Sequence, residues 1–110
     1  MNDIYFTVLV YVDNDVMLES SVNSIMNVSD DIADTIKVVV IDPICSELSV
    51  EISEKLLMKY GKRQFVYIQK DGATIGEAYN VALKEIRGRY VNFSKSSMYF
   101  QQGAIECVLE

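Results

Sequence analysis

Histidine is absent from this 110-residue sequence, proline occurs once and cysteine twice. Without histidine there is no Ser-His-Asp or Cys-His nucleophile system, no His-containing zinc site, and no use of the commonest general base. Cys45 and Cys107 stand far apart, with no C-x-x-C spacing and no further ligand-type partner. Two reduced thiols are expected rather than a disulfide framework or a zinc site. Long hydrophobic runs are missing too. Bursts such as Val8-Leu9-Val10-Tyr11-Val12 fall far short of the roughly 18–20 residues that cross a bilayer. Met1-Asn2-Asp3 lacks the basic start of a signal peptide, so a soluble, cytoplasmic chain is expected. Basic charge is scarce, with 10 Lys and Arg against 16 Asp and Glu and a net charge of -6. General nucleic-acid binding needs basic stripes against phosphates and is argued against; one small basic pocket is not excluded.

What is there is globular. A composition that is 50% hydrophobic and 24% charged is too apolar and too weakly charged for disorder, and the length suits one domain, residues 1–110. Tyr5 to Val12 is β-branched and aromatic with hardly a polar residue, as in a strand buried on both faces. Leu18, Val22, Ile25 and Met26 then share one helical face, and Asp30, Asp31 and Asp34 mark a loop. Lys37 to Asp42 reads as a second buried strand stopped by Pro43. Ile52, Leu56, Leu57 and Tyr60 repeat at helical spacing, with Gly61 at the C-cap, and Gln64 to Gln69 follows as a third strand. Thr74-Ile75-Gly76-Glu77 has the form of a capping box. The stripe Ile75, Ala78, Tyr79, Ala82, Leu83 and Ile86 extends that helix to Gly88. Arg89 to Phe93 is a fourth strand, and Gln101 to Glu110 begins a fourth helix. The sequence stops inside that helical pattern and reads as an excised half.

Strands alternating with helices predict a parallel sheet covered on both faces, in strand order 3-2-1-4 once crossovers are right-handed. Ligands of such sheets bind beyond the carboxyl ends of the strands. The segments there are Asp13-Asn14-Asp15, Asp42 to Glu47, Lys70 to Gly76 and Ser94 to Met98. Asp13, Asp15 and Asp42 can gather to hold Mg²⁺ or ribose hydroxyls, or serve as strand-end and cap residues. Lys95, past Phe93, can meet a phosphate as a point charge or be a surface lysine. Gly72 to Gly76 can offer a helix N-terminus to an anion or be a turn and cap. A receiver-like phosphoacceptor pocket of Asp13, Asp42 and Lys95 is a minor alternative. Its spacing is against it, because Asp42 ends the strand directly after the first.

Several stretches carry a family likeness. Val8 to Asn14 is similar to an opening strand that ends in Tyr-Asn, and Leu18-Glu19-Ser20-Ser21-Val22-Asn23-Ser24-Ile25 to "L-x-x-x-I-x-S-I/L". Val38 to Asp42 resembles a strand ending in an acidic pair, and Gly76 to Ala82 a helix usually containing Ala-Arg-Asn. Gly88 to Phe93 resembles "G-x-Y-I-x-F", and Gln102 to Glu106 "P-G-A-L-E". Together they resemble the amino-terminal, nucleotide-binding half of family 2 glycosyltransferases.

The resemblance implies a three-layer α/β/α, Rossmann-like GT-A fold with a mostly parallel four-stranded sheet. It implies a longer protein that moves a sugar from a nucleotide-sugar donor to a glycan or lipid acceptor, in the cytoplasm or at the inner membrane face. The general base comes from the family's second half, so no catalytic residue is assigned within this chain. The family's metal motif, Asp-x-Asp, aligns with Lys95-Ser96-Ser97, where neither carboxylate exists. Serine hydroxyls alone are poor ligands for Mn²⁺ or Mg²⁺ and Lys95 repels them, so no metal and no cofactor are expected. Asp42-Pro43 stands where the acidic pair belongs, and Asp13 where the base-stacking tyrosine belongs. The nucleotide-binding candidates are Asp13, Asp42, Lys95 and Ser97, with Lys95 replacing the metal's charge. The alternative is a degenerate, non-catalytic scaffold or oligomerisation module.

Overall fold

The computed structural model describes residues 3–97. Its first strand, β1 (Phe6–Tyr11), forms where apolar and β-branched side chains occupy both faces, and all but Tyr11 are buried. β2 (Ile36–Asp42) is buried at every position. β3 (Phe65–Gln69) and β4 (Tyr90–Lys95) are the more exposed edges. The sheet runs β3-β2-β1-β4 with every pairing parallel, the order and direction that the sequence predicts. Tyr11 lies opposite both Ile41 and Lys95, and Asp42 opposite Gln69. That register brings the carboxyl ends of all four strands to one edge.

Helices cover both faces. On one, α1 (Leu18–Met26) and α3 (Glu47–Tyr60) bury Leu18, Val22, Ile25, Ile52 and Leu56 against Val8, Val10, Val38 and Val40. Each such side chain contributes about 1.5–3 kcal/mol when fully buried. On the other face, α4 (Ile75–Ala82) sets Ala78 and Ala82 on Leu9, Val39 and Ile41. α3 starts at Ser46, whose hydroxyl accepts from Ser49 N at 3.0 Å, and stops at Gly61 with φ +84°. The capping box at Thr74 and Glu77 is present in both directions.

Two local expectations are corrected. The acidic segment after α1 contains a single helical turn, α2 (Asp30–Ala33), in place of a plain loop. Ser29 O accepts from Ile32 N and Ala33 N, and Asp30 and Asp31 suit the positive end of the turn. α4 stops at Ala82, short of Gly88, and passes through a 3₁₀ turn at Leu83–Glu85 into extended backbone at Ile86. Tertiary bonds draw the backbone out of the helix: Lys37 Nζ donates to Glu85 O at 2.8 Å, and Arg87 N donates to Thr7 Oγ1 at 3.0 Å. Leu83, assigned to the apolar stripe, is consequently 53% exposed.

β4 begins one residue later than expected and continues through Lys95, which is therefore a strand residue. Gly88 precedes it at φ +85°, and a Cβ there would lie 2.5 Å from the Tyr5 carbonyl carbon. Arg89 N and Tyr90 N both donate to Tyr5 O, so this close approach is built into the sheet. The helix expected from Gln101, the Gln102–Glu106 motif, Met98 and Cys107 lie outside the described residues. Among the described residues no helix is long and apolar enough to cross a membrane.

Candidate functional site

The carboxyl edge of the sheet is laced together by short polar side chains. Asp13, just beyond β1, accepts from Ser97 N at 2.9 Å and Ser97 Oγ at 2.6 Å. Ser96 is fully buried beside it. Its hydroxyl accepts from Asn14 N at 2.9 Å, and its one proton faces both Asn14 O at 2.7 Å and Asp13 Oδ1 at 3.0 Å. Burial works to raise the Asp13 pKa, but the Ser97 hydroxyl, the Ser97 amide and Ser96 outweigh it and hold the carboxyl below its ordinary value. Two of the predicted residues, Asp13 and Ser97, are thus in direct contact.

Asp42 faces a different set of partners. Its carboxylate is 0% exposed. Oδ1 accepts from Ile44 N at 2.9 Å and Cys45 N at 3.0 Å, and Oδ2 from Ser49 Oγ at 2.6 Å and Tyr67 OH at 2.5 Å. Burial first, then the bond to Asp42, push the Tyr67 phenol up to about 12. Asp15 turns to Ser46, whose hydroxyl donates to Oδ2 at 2.7 Å. Asp13, Asp15 and Asp42 therefore each have their own partners, and the described residues contain no group of three or more acidic or cysteine side chains able to hold a metal ion.

Lys95 is exposed at the end of β4, opposite Tyr11, and has no ion pair or side-chain hydrogen bond among the described residues. The Gly72–Gly76 segment is a turn and cap: Glu77 carboxylate accepts from Thr74 N at 3.0 Å, which puts negative charge where an anion would sit. Cys45 is a free thiol with φ +52°, fixed by the Asp42 bond to its amide. Burial, then the charges of Asp42 and Asp71, push that thiol up, which leaves it unactivated as a nucleophile.

These donors do not suit a divalent cation. Asp13 is the carboxylate nearest the Lys95-Ser96-Ser97 position, and its oxygens already receive protons from the two serines. Lys95 contributes a cation at this position and no ligand oxygen, whereas hard cations require several free oxygen ligands. What the edge offers instead is cationic side chains without an ion pair among the described residues, Lys95 and Lys70, which are suited to an anion. Sequence reasoning missed Ser49, Tyr67 and Ser96. Ser46-Glu47-Leu48-Ser49 is the one local signal, a serine cap followed three residues on by a second hydroxyl.

No protein-family model matches the chain, and no curated protein matches it in sequence. Solved structures do match it. S. aureus TarS 1-349 is similar over 96% of this chain and 31% of its own, with a TM-score of 0.78 and 23% identity. Its complex with UDP-GlcNAc gives a TM-score of 0.77, and its complex with UDP 0.76, both at 23% identity and 96% coverage of this chain. TarS is a family 2 glycosyltransferase of GT-A fold. The chain spans about a third of the length of the TarS chains it matches. Its parallel sheet and two helical layers share the GT-A fold of these structures.

Proposed function

We propose that this chain forms the nucleotide-binding part of a family 2 glycosyltransferase domain. The whole protein then transfers a sugar from a nucleotide-sugar donor to a glycan or lipid acceptor, in the cytoplasm. The observation that supports this reading is the match over 96% of the chain to TarS, which has been solved with UDP-GlcNAc and with UDP. Here the donor's diphosphate meets the carboxyl edge of β1 and β4. Lys95 supplies the positive charge, Ser97 ties its hydroxyl and amide to Asp13 at the same edge, and Asp42 acts from beneath by fixing the β2–α3 loop. In transfer, the chain's own part is to bind the diphosphate and offset its charge as the sugar leaves.

A second reading, a non-catalytic scaffold, is favoured by one observation: the Asp13 and Asp42 carboxylates are both saturated internally. Titration of the isotope-labelled chain with UDP, followed by amide NMR, separates the two. Donor binding shifts the amides of Asp13, Asn14 and Ser97, and Lys95→Ala removes those shifts. A scaffold gives no shifts with UDP or with any other common nucleoside diphosphate.

A further inference from the structure

A separate cavity of about 430 Å³ lies at the opposite, amino-terminal edge of the sheet. Lys37, Lys62, Arg63 and Arg87 line it, with Asp3 as the acidic residue in its wall. In a chain of net charge -6 with 10 basic residues, this is a marked concentration of cations. The walls are fixed by hydrogen bonds to the main chain. Arg87 N donates to Thr7 Oγ1 at 3.0 Å, and Thr7 Oγ1 donates to Arg87 O at 2.5 Å. Lys62 and Arg63 sit in a turn closed by bonds from Gln64 N and Phe65 N to Gly61 O.

Two of the four cations are matched. Lys37, only 6% exposed, reaches Glu85 O at 2.8 Å and Glu85 Oε1 at 3.4 Å. Arg63 Nη1 pairs with Asp34 at 3.2 Å, while Arg63 Nη2 is buried without a hydrogen-bond partner among the described residues. The other two are not matched. Lys62 has no ion pair among the described residues, and the Arg87 guanidinium uses only Nη1, toward Lys84 O and Ile86 O. A buried donor without an acceptor marks a place where an ion or water belongs. An ammonium and an open guanidinium edge around one cavity match a tetrahedral oxyanion, which offers several acceptors at once.

We propose that this cavity binds a phosphate group, carried by a small solute or by a lipid headgroup, between Lys62 and Arg87. It is distinct from the carboxyl-edge site, since the seven residues of β2 separate the two edges by roughly 20 Å. The test uses the 110-residue chain with inorganic phosphate as the NMR probe, and sedimentation with phosphatidylglycerol or phosphatidylcholine vesicles. Phosphate should shift the amides of Lys62, Arg87 and Gly88. Lys62→Gln and Arg87→Gln, both at exposed positions, should each weaken binding about tenfold or more. Asp3→Asn should tighten it. Lys55→Gln, which removes the same charge from a lysine paired with Glu19, should leave it unchanged. Retention by phosphatidylglycerol vesicles that is lost in the Lys62 and Arg87 variants identifies a lipid source; phosphate shifts without retention identify a soluble one. The proposal is overturned if neither probe binds, or if Lys55→Gln weakens binding as much as the two cavity variants.

Discussion

Replacing Asp42 with alanine should strip four donors of one acceptor. Ile44 N, Cys45 N, Ser49 Oγ and Tyr67 OH all converge on a carboxylate that is 0% exposed. A buried donor left unsatisfied costs about 1–3 kcal/mol. The four do not simply add, because Ser49 Oγ has Ser46 O at 3.1 Å as a second acceptor, and half-buried Tyr67 can turn toward water. The expected loss is about 3–4 kcal/mol, a large part of the roughly 5–15 kcal/mol that holds a domain together. With a urea m-value of about 1.5 kcal/mol/M, that moves the unfolding midpoint down by about 2 M. Asp42→Asn keeps the acceptor for the two amides but turns an NH₂ toward Ser49 and Tyr67, and should lose about 2 kcal/mol. Urea unfolding followed by far-UV circular dichroism measures both. A loss below about 1 kcal/mol for Asp42→Ala would refute the reasoning and show a carboxylate held ready for a ligand instead.

Three further outcomes follow from named contacts. Gly88→Ala forces a Cβ to within 2.5–2.7 Å of Tyr5 backbone atoms at φ +85°, whereas Gly72→Ala meets only its φ of +71° and no atom within 4 Å. Gly72→Ala should cost about 1–2 kcal/mol and Gly88→Ala clearly more, measured by the same unfolding assay. Tyr67 is held protonated to about 12 in the fold, against about 10 in the unfolded chain. Its contribution to stability is complete below the unfolded value and declines as pH rises through about 12. Burial also raises the Tyr79 phenol, so ultraviolet phenolate titration should show a late-titrating component, of which the Tyr67 part is absent in Tyr67→Phe and shifted down in Asp42→Ala. Finally, Ser97→Ala should raise the Asp13 pKa. The lowered value stabilises the fold above the unfolded pKa and is lost as pH falls through the folded one, which carboxyl NMR can follow.

Much of the fold is legible in the residues. β1 and β2 are uninterrupted apolar runs, and only a strand buried on both faces has use for such a run. Thr74 and Glu77 mark the start of α4 by their spacing alone. The end of α4 is not local: Lys37 captures Glu85 O across 48 positions, and Thr7 holds Arg87 across 80. The same limit applies to the site. That Asp13, Asp42 and Lys95 share one edge follows from strand order. That Asp42 faces inward depends on Tyr67, on another strand 25 residues away. The basic cavity is assembled from the starts of all four strands, so no contiguous motif announces it.

Lys95 acting in place of a divalent cation is tested most directly by measuring UDP affinity calorimetrically in EDTA and again in Mn²⁺, for the wild-type chain and Lys95→Ala. The predicted result is weak binding that Mn²⁺ leaves unchanged, reduced about ten- to a hundred-fold by Lys95→Ala, as expected for loss of one charge-assisted phosphate contact. Affinity that rises tenfold or more with Mn²⁺ and is indifferent to Lys95→Ala would contradict it.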